Sequence, residues 1–170
     1  PCPRPAGIAG AVCVCALLVC FLQTNNLLYT ASAQAHRATQ SYLTRMMTRV
    51  EACDGYTPDT EVVIIGTIPD EQMHSAIESY AQVTHYSVPI HQLATLNKHI
   101  YYYLNDWLSI PIEEPSQETM AAVAGSDAFA AMPLYPQQGS VKVIDGRVVV
   151  KLSEQYTPKS DFEIAFENRR

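Results

Sequence analysis

The sequence predicts an α/β protein in which a small α/β domain follows an N-terminal transmembrane helix. Three observations indicate this fold class: a long uncharged apolar run near the N-terminus, a β-branched run at Val62–Ile65, and two β-branched runs flanking Asp145-Gly146. Helical periodicity occupies much of the sequence between them. We expect a transmembrane segment over residues 1–28, an α/β domain with at least three strands over 29–156, and a polar tail over 157–170.

The composition limits the class of protein. The 170 residues are 48% hydrophobic, with 11 Lys and Arg against 17 Asp and Glu. This length suits one domain with a real core, and the apolar content excludes a disordered chain. The sequence between Val50 and Val141 contains twelve acidic residues and only one Lys or Arg, Lys98. We interpret this stretch as a solvated acidic exterior, which repels polyphosphates, so no nucleic-acid partner is expected.

The apolar run near the N-terminus is long enough to cross a bilayer. No charged residue occurs between Arg4 and Arg37, and Ala6–Leu22 contains no polar side chain. As a helix, Ala6–Leu22 is about 25 Å long, and continuing it to Leu28 gives about 35 Å. A core helix of a soluble protein would carry a polar stripe, which this run lacks. We therefore predict a membrane-spanning helix.

A cleaved secretory signal is the alternative for this run. Arg4 would be its basic region, and Ala31-Ser32-Ala33 resembles a small-residue cleavage site. That site, however, lies nine residues beyond Leu22 and follows four polar residues. The chain also opens on Pro1 rather than Met, which agrees with a C-terminal fragment. We favour a retained helix on these grounds.

The spanning helix is expected to continue as a long amphipathic one. From Leu27 to Cys53 apolar residues recur at steps of three and four, which predicts a single helical stripe. Asp54-Gly55 then ends the helix, since Gly55 suits the left-handed position beyond a C-terminus. Next, Val62–Ile65 predicts a strand buried on both faces.

The remaining elements follow from shorter patterns. Val141–Ile144 and Arg147–Leu152 predict a β-hairpin, because Asp145-Gly146 suits a two-residue type I′ turn. We expect this hairpin to dock on the Val62–Ile65 strand. The other predicted elements are a helix over Glu71–Val83, a short extended piece over Tyr86–Pro89, and helices over His91–Leu108 and Gln117–Ala124.

No catalytic, cofactor or metal site emerges from the motifs. Gly66 follows a strand but lacks the further glycines and the lysine of nucleotide-binding loops. Glu113-Glu114 and Asp106 are interpreted as a solvated loop rather than paired catalytic carboxylates. No C-x-x-C pair or nucleophile arrangement is present. Three histidines are spaced six and eight apart, which does not suit a helical zinc site: His85, His91 and His99.

An aromatic cluster at Tyr101-Tyr102-Tyr103 and Trp107 is the best candidate for binding. Consecutive tyrosines spread around a helix, so at least one is expected to be exposed. Tyr103 and Trp107, four apart, are expected in the core. Aromatic faces stack on sugar rings, and Tyr and Trp also settle at membrane interfaces. We predict Tyr101, Tyr102 and Trp107 as candidate substrate-binding residues.

The order of several motifs resembles a known family. After the apolar run come Asn25-Asn26-Leu27-Leu28-Tyr29, Arg45-Met46-Met47-Thr48-Arg49-Val50, Asp54-Gly55-Tyr56, Val62-Val63-Ile64-Ile65-Gly66, Met132-Pro133-Leu134-Tyr135-Pro136, Gly139-Ser140-Val141 and Val148-Val149-Val150-Lys151-Leu152. Together, from about Asn25 to Leu152, they resemble the C-terminal region of the type II serotype-converting glucosyltransferases, which are polytopic bacterial membrane proteins.

The resemblance implies a role in sugar transfer. Its relatives move glucosyl from a polyprenyl-phosphate carrier to a surface polysaccharide, with catalytic acids in loops near the N-terminal end of the full protein. This chain would then be the last spanning helix and a terminal extracytoplasmic domain that is accessory, acceptor-positioning or structural. Its partners would be the remainder of its own polytopic chain, the bacterial cytoplasmic membrane, and a polysaccharide or lipid-linked sugar.

Three questions stay open at this level. The basic residues Arg37, Arg45 and Arg49 outnumber Arg4, so flanking charge favours a cytoplasmic domain and conflicts with the resemblance. A membrane-anchored or secreted non-catalytic binding module is a second class of function. A third is a structural assembly domain in which the strand edge at Val148–Leu152 pairs with a partner.

Overall fold

The computed structural model describes residues 5–68, 97–154 and 156. Within them the helices are α1 (Pro5–Glu51), α2 (Asn97–Asp106), α3 (Gln117–Ala124) and α4 (Asp127–Ala130), and the strands are β1 (Val62–Ile65), β2 (Val141–Ile144) and β3 (Arg147–Lys151). The predicted helix over Glu71–Val83, the extended piece over Tyr86–Pro89 and the start of the helix from His91 lie outside the described residues.

Helix α1 is continuous over 47 residues, which confirms that the apolar run continues into the amphipathic part. In its N-terminal half the side chains from Gly7 to Leu27 are exposed and are not buried against any other described residue. By length and composition this half is sufficient to cross a membrane. The C-terminal half instead belongs to the domain core, with these side chains buried: Tyr42, Leu43, Met46, Met47 and Val50.

The three strands form one mixed sheet in the order β1-β3-β2. β1 and β3 are parallel, and β2 and β3 are antiparallel across Asp145 and Gly146. Both of these residues have positive φ, 49° and 76°, as a type I′ turn requires. Because β3 is the central strand and is paired on both sides, the proposed free edge at Val148–Leu152 is wrong.

Helices cover both faces of the sheet. On one face Val62, Ile64, Val148 and Val150 pack with side chains of α1 and α2. On the other face Val63, Ile65 and Val149 pack with these residues of α3, α4 and the segment that follows: Met120, Val123, Phe129 and Met132. All four residues of β1 are buried, which confirms the predicted strand and explains its unbroken β-branched sequence.

A buried lysine joins α4 to the sheet. Lys151, at the end of β3, is only 1% exposed. Its Nζ donates hydrogen bonds to the carbonyl oxygens of Met132 at 2.9 Å and Ala130 at 3.3 Å, and it pairs with Glu154 at 2.8 Å. The ammonium also lies 4.9 Å from the centre of the Phe129 ring. These contacts offset the cost of burying the charge.

Gly66 permits a close approach at the end of β1. It has φ of +107°, and a Cβ at this position would collide with the backbone nitrogen and the hydroxyl of Ser153. Glycine is needed here for both reasons. This agrees with the interpretation of Gly66 as a glycine that turns the chain at a strand end.

Candidate functional site

An aromatic groove lies between the middle of α1 and α2. It has a volume of about 400 Å³ and is largely apolar. We call it the aromatic groove and define it by its lining residues: Tyr29, Ser32, Ala33, His36, His99, Tyr102, Tyr103 and Trp107.

Helical spacing brings these residues to one place. On α1 the lining positions 29, 32, 33 and 36 follow steps of three and four, so they share one face. On α2 and the turn after it, positions 99, 102, 103 and 107 are spaced in the same way. The groove therefore forms where these two faces meet.

Contacts between rings hold the floor of the groove together. The Tyr103 hydroxyl is 2.9 Å from Nδ1 of His36 and donates to the His36 carbonyl at 3.3 Å. The His36 ring also lies edge-on to Trp107, with their centroids 5.1 Å apart. Tyr103 and Trp107 stack at 6.1 Å. Burial raises the pKa of the Tyr103 hydroxyl, whose usual value already lies well above neutral pH.

Tyr101, which the sequence predicted as a substrate contact, lies inside the core. Its side chain is 2% exposed. The hydroxyl accepts the backbone N–H of Ile64 at 2.7 Å and donates to the carbonyl of Val62 at 3.1 Å. Those two groups are on β1, at one end of the strand order. Tyr101 therefore satisfies backbone groups on the outer side of β1, which is an edge strand among the described residues.

Tyr102 and Trp107 are the predicted residues that reach the groove. Each is 61% exposed, so the expectation that at least one tyrosine is exposed is confirmed. Tyr103 is buried as expected, whereas the prediction that Trp107 belongs to the core is wrong. The substrate-binding role of Tyr102 and Trp107 stays a prediction.

Sequence reasoning missed the part of the groove that comes from α1. Tyr29, His36 and Ser32 lie on a face adjacent to the apolar stripe that was recognised. A signal was present, since Tyr29 and His36 are seven residues apart, two turns of helix. Their partner on α2 could not be inferred, because His36 and Tyr103 are 67 residues apart in the chain.

An acidic cleft lies elsewhere, between the start of β1 and the loop after α2. Its volume is about 1010 Å³, and four carboxylates line it: Asp59, Glu61, Glu113 and Glu114. Glu61 is paired with Arg147, which reduces the local negative charge. Asp106 is not among the lining residues. In the described part of the chain, no group of three or more His, Cys, Asp or Glu side chains could hold a metal ion.

The aromatic groove has groups that could bind a ligand. Its described lining offers aromatic faces, imidazole nitrogens and hydroxyls, but no carboxylate that could act as a general acid or base. Comparison with known proteins adds no assignment: no family model, no curated protein and no solved structure matches this chain.

Proposed function

We propose that this chain is the membrane-anchored C-terminal domain of a polyprenyl-phosphate-dependent glucosyltransferase, and that the aromatic groove helps to position its lipid-linked sugar or polysaccharide acceptor. The observation that carries the proposal is the position of the groove. Its first lining residue, Tyr29, directly follows the apolar half of α1.

The position of the groove along α1 determines its distance from the hydrocarbon core of a bilayer. If the hydrocarbon core ends at Leu28, a rise of about 1.5 Å per residue places Ser32 about 6 Å and His36 about 12 Å beyond it. The polar headgroup layer begins at that boundary. A groove at this level faces the phosphate and sugar of a membrane-embedded carrier.

The lining chemistry fits a sugar. The exposed rings of Tyr102 and Trp107 provide faces on which a pyranose can stack. His36 and the neutral Tyr103 hydroxyl provide hydrogen-bonding groups in a partly buried setting. By the family resemblance, the acid that assists departure of the lipid phosphate would come from loops in another part of the enzyme. The domain's role is accessory in this proposal.

The resemblance supports a location at the bacterial cytoplasmic membrane with the domain outside. In the proposed transfer an acceptor sugar hydroxyl attacks the anomeric carbon, the bond from that carbon to the lipid-phosphate oxygen breaks, and the hydroxyl proton passes to a base elsewhere in the enzyme. An acceptor polysaccharide on the outer surface would then meet the groove directly. Flanking charge favours the opposite orientation, with the domain in the cytoplasm. Three arginines follow the apolar run, Arg37, Arg45 and Arg49, whereas only Arg4 precedes it.

The groove proposal is tested in the full-length transferase with Trp107→Ala and Tyr102→Ala. We expect each to raise the KM for donor or acceptor by about tenfold, equivalent to about 1.4 kcal/mol of lost binding. Val143→Ala is the matched control, since Val143 is 42% exposed on β2, outside the groove. Unchanged KM and kcat in both groove variants would contradict the proposal.

The polytopic origin is tested separately by the DNA upstream of the Pro1 codon. Several further apolar segments of about 20 residues in the same reading frame are expected. A start codon immediately upstream would favour a single-span binding module instead.

A further inference from the structure

We infer that α2 lies against the surface of the bilayer that α1 spans, with Tyr29 at the boundary between phospholipid headgroups and acyl chains and with Tyr102 and Trp107 among the headgroups. This inference concerns attachment of the domain to zwitterionic phospholipid and holds whether or not the groove binds a sugar.

The first observation is exposure. Tyr29 is 78% exposed, and Tyr102 and Trp107 are each 61% exposed, although all three line the same groove. Large aromatic side chains gathered at one exposed place mark an interaction surface. Tyr and Trp in particular are enriched where an apolar ring and a polar edge meet hydrocarbon and water together.

The second observation is depth. Tyr29 is adjacent to Leu28 and thus lies at the end of the apolar half of α1. Trp107 is held at the same side of the helix, with its ring 5.1 Å from that of His36. His36 is seven residues beyond Tyr29, about 10 Å along the axis. Trp107 therefore lies within the headgroup layer when α1 crosses the bilayer.

The third observation is charge. No carboxylate lines the described groove, although the sequence between Val50 and Val141 is strongly acidic. Asp106, at the end of α2, is exposed and stays in water beside the headgroups. The aromatic face can approach a zwitterionic surface without desolvating a charge, whereas anionic lipids would be repelled by the acidic exterior.

The sequence offers a direct probe, because Trp107 is the only tryptophan in the chain. The full chain is reconstituted in phosphatidylcholine vesicles that contain lipids brominated at different acyl-chain depths. Bromine quenches an indole ring only at short range. We expect blue-shifted emission, weak quenching by aqueous acrylamide, and quenching by shallow bromolipids roughly twofold or more above that by deep ones.

A matched control places the probe far from the bilayer. In the double variant Trp107→Phe, Tyr56→Trp the indole lies beyond the end of α1, and Glu51 is already about 33 Å past Tyr29 along the helix axis. This variant is expected to show no bromolipid quenching and the acrylamide quenching of a partly exposed indole, since Tyr56 is partly buried.

The inference is overturned if wild-type Trp107 behaves like the Tyr56→Trp control, with water-like emission and no bromolipid quenching. Because the measurement uses no substrate and no groove variant, its outcome is separate from the transfer assays. Interfacial quenching with normal KM values in Trp107→Ala would support the membrane contact and contradict sugar positioning.

Discussion

Two tyrosines, Tyr101 and Tyr42, are both buried but differ in the hydrogen bonding of their hydroxyls. Tyr101 exchanges hydrogen bonds with the backbone of Ile64 and Val62. The Tyr42 hydroxyl, also buried, has no hydrogen-bond partner among the described residues, and its ring lies 5.1 Å from that of Tyr135. The hydroxyl of Tyr101 therefore stabilises β1, whereas Tyr42 contributes to packing through its ring alone.

Removing each of these hydroxyls should have a different effect on the free energy of unfolding. Tyr101→Phe leaves a buried N–H and a buried carbonyl without a partner, so we expect a loss of about 1–3 kcal/mol in the free energy of unfolding. Tyr42→Phe removes an unsatisfied polar group and should be neutral or slightly stabilising. Denaturant unfolding of the full chain in micelles measures both. An equal loss in the two variants would contradict this assignment.

The same residues predict instability in alkali. Burial raises the pKa of both hydroxyls above the usual value of about 10. Above pH 10 the unfolded chain loses these protons while the folded chain keeps them. The associated stability is thus complete below pH 10 and falls with rising pH, by up to about 1.4 kcal/mol per pH unit for each tyrosine.

Denaturant unfolding repeated across the alkaline range measures this dependence. Tyr42→Phe should reduce the slope of unfolding free energy against pH, because one titrating group is removed. A stability that stays constant well above pH 10, or an unchanged slope in Tyr42→Phe, would show that these hydroxyls are solvated in the folded chain.

At the scale of elements, the end of β1 depends on one glycine. Gly66→Ala puts a Cβ against the backbone of Ser153 and forces an L-residue to φ of +107°. We expect a loss of about 3 kcal/mol or more, because backbone rather than a flexible side chain must move.

Gly146→Ala is the matched control for this variant. Gly146 also has positive φ, +76°, but no heavy atom of the described residues lies within 4 Å of a Cβ there. Its loss should be limited to the backbone term, about 1 kcal/mol. Thermal unfolding of the two variants side by side tests the difference, and equal losses would remove the role given to Ser153.

Elements with strong local patterns were predictable, and those set by tertiary contacts were not. The strand at Val62–Ile65, helix Gln117–Ala124 and the strands flanking Asp145-Gly146 follow from residue types and turn chemistry. α4 has only four residues, too few for a period, although Ser126 caps it. β1 lies parallel to β3, a pairing that no local pattern specifies.

The candidate site was predictable only in part, for a similar reason. Trp107 is four residues after Tyr103, which suggested a shared buried face. The helix, however, ends at Asp106, and the chain turns through Ser109 with φ of 54°. This leaves Trp107 on the groove rim, while Tyr101 faces the core beside Ile100. The groove itself needs the packing of α1 on α2, which sequence spacing alone does not supply.

At the scale of the whole molecule, α1 serves as both the apolar segment and part of the domain core. Arg49 helps to join these parts, since its guanidinium donates to the carbonyl of Pro136 and lies 5.1 Å from the centre of the Tyr135 ring. The domain is thus fixed to the same rigid helix that carries the apolar half.

Arg49→Ala should loosen this attachment. We expect a loss of about 1–2 kcal/mol, from a charge-assisted hydrogen bond and a cation–π contact. Arg45→Ala is the matched control, because the Arg45 hydrogen bond recorded in the structure is to Ser41 within its own helix. Denaturant unfolding of both variants is the measurement. A loss in Arg45→Ala as large as that in Arg49→Ala would contradict the role of this contact.

The central claim is that α1 spans the bilayer up to Leu28 and that the domain begins immediately outside it. Labelling with a water-soluble maleimide in unsealed membranes tests this most directly, with mass spectrometry to locate each modified thiol. Cys13, Cys15 and Cys20 lie in the apolar half, and Gln40→Cys provides an exposed thiol on the same helix. We predict labelling at position 40 and none at Cys13, Cys15 and Cys20 until detergent is added. Equal labelling of all four, or a mature chain that begins after Ala33, would contradict a retained spanning helix.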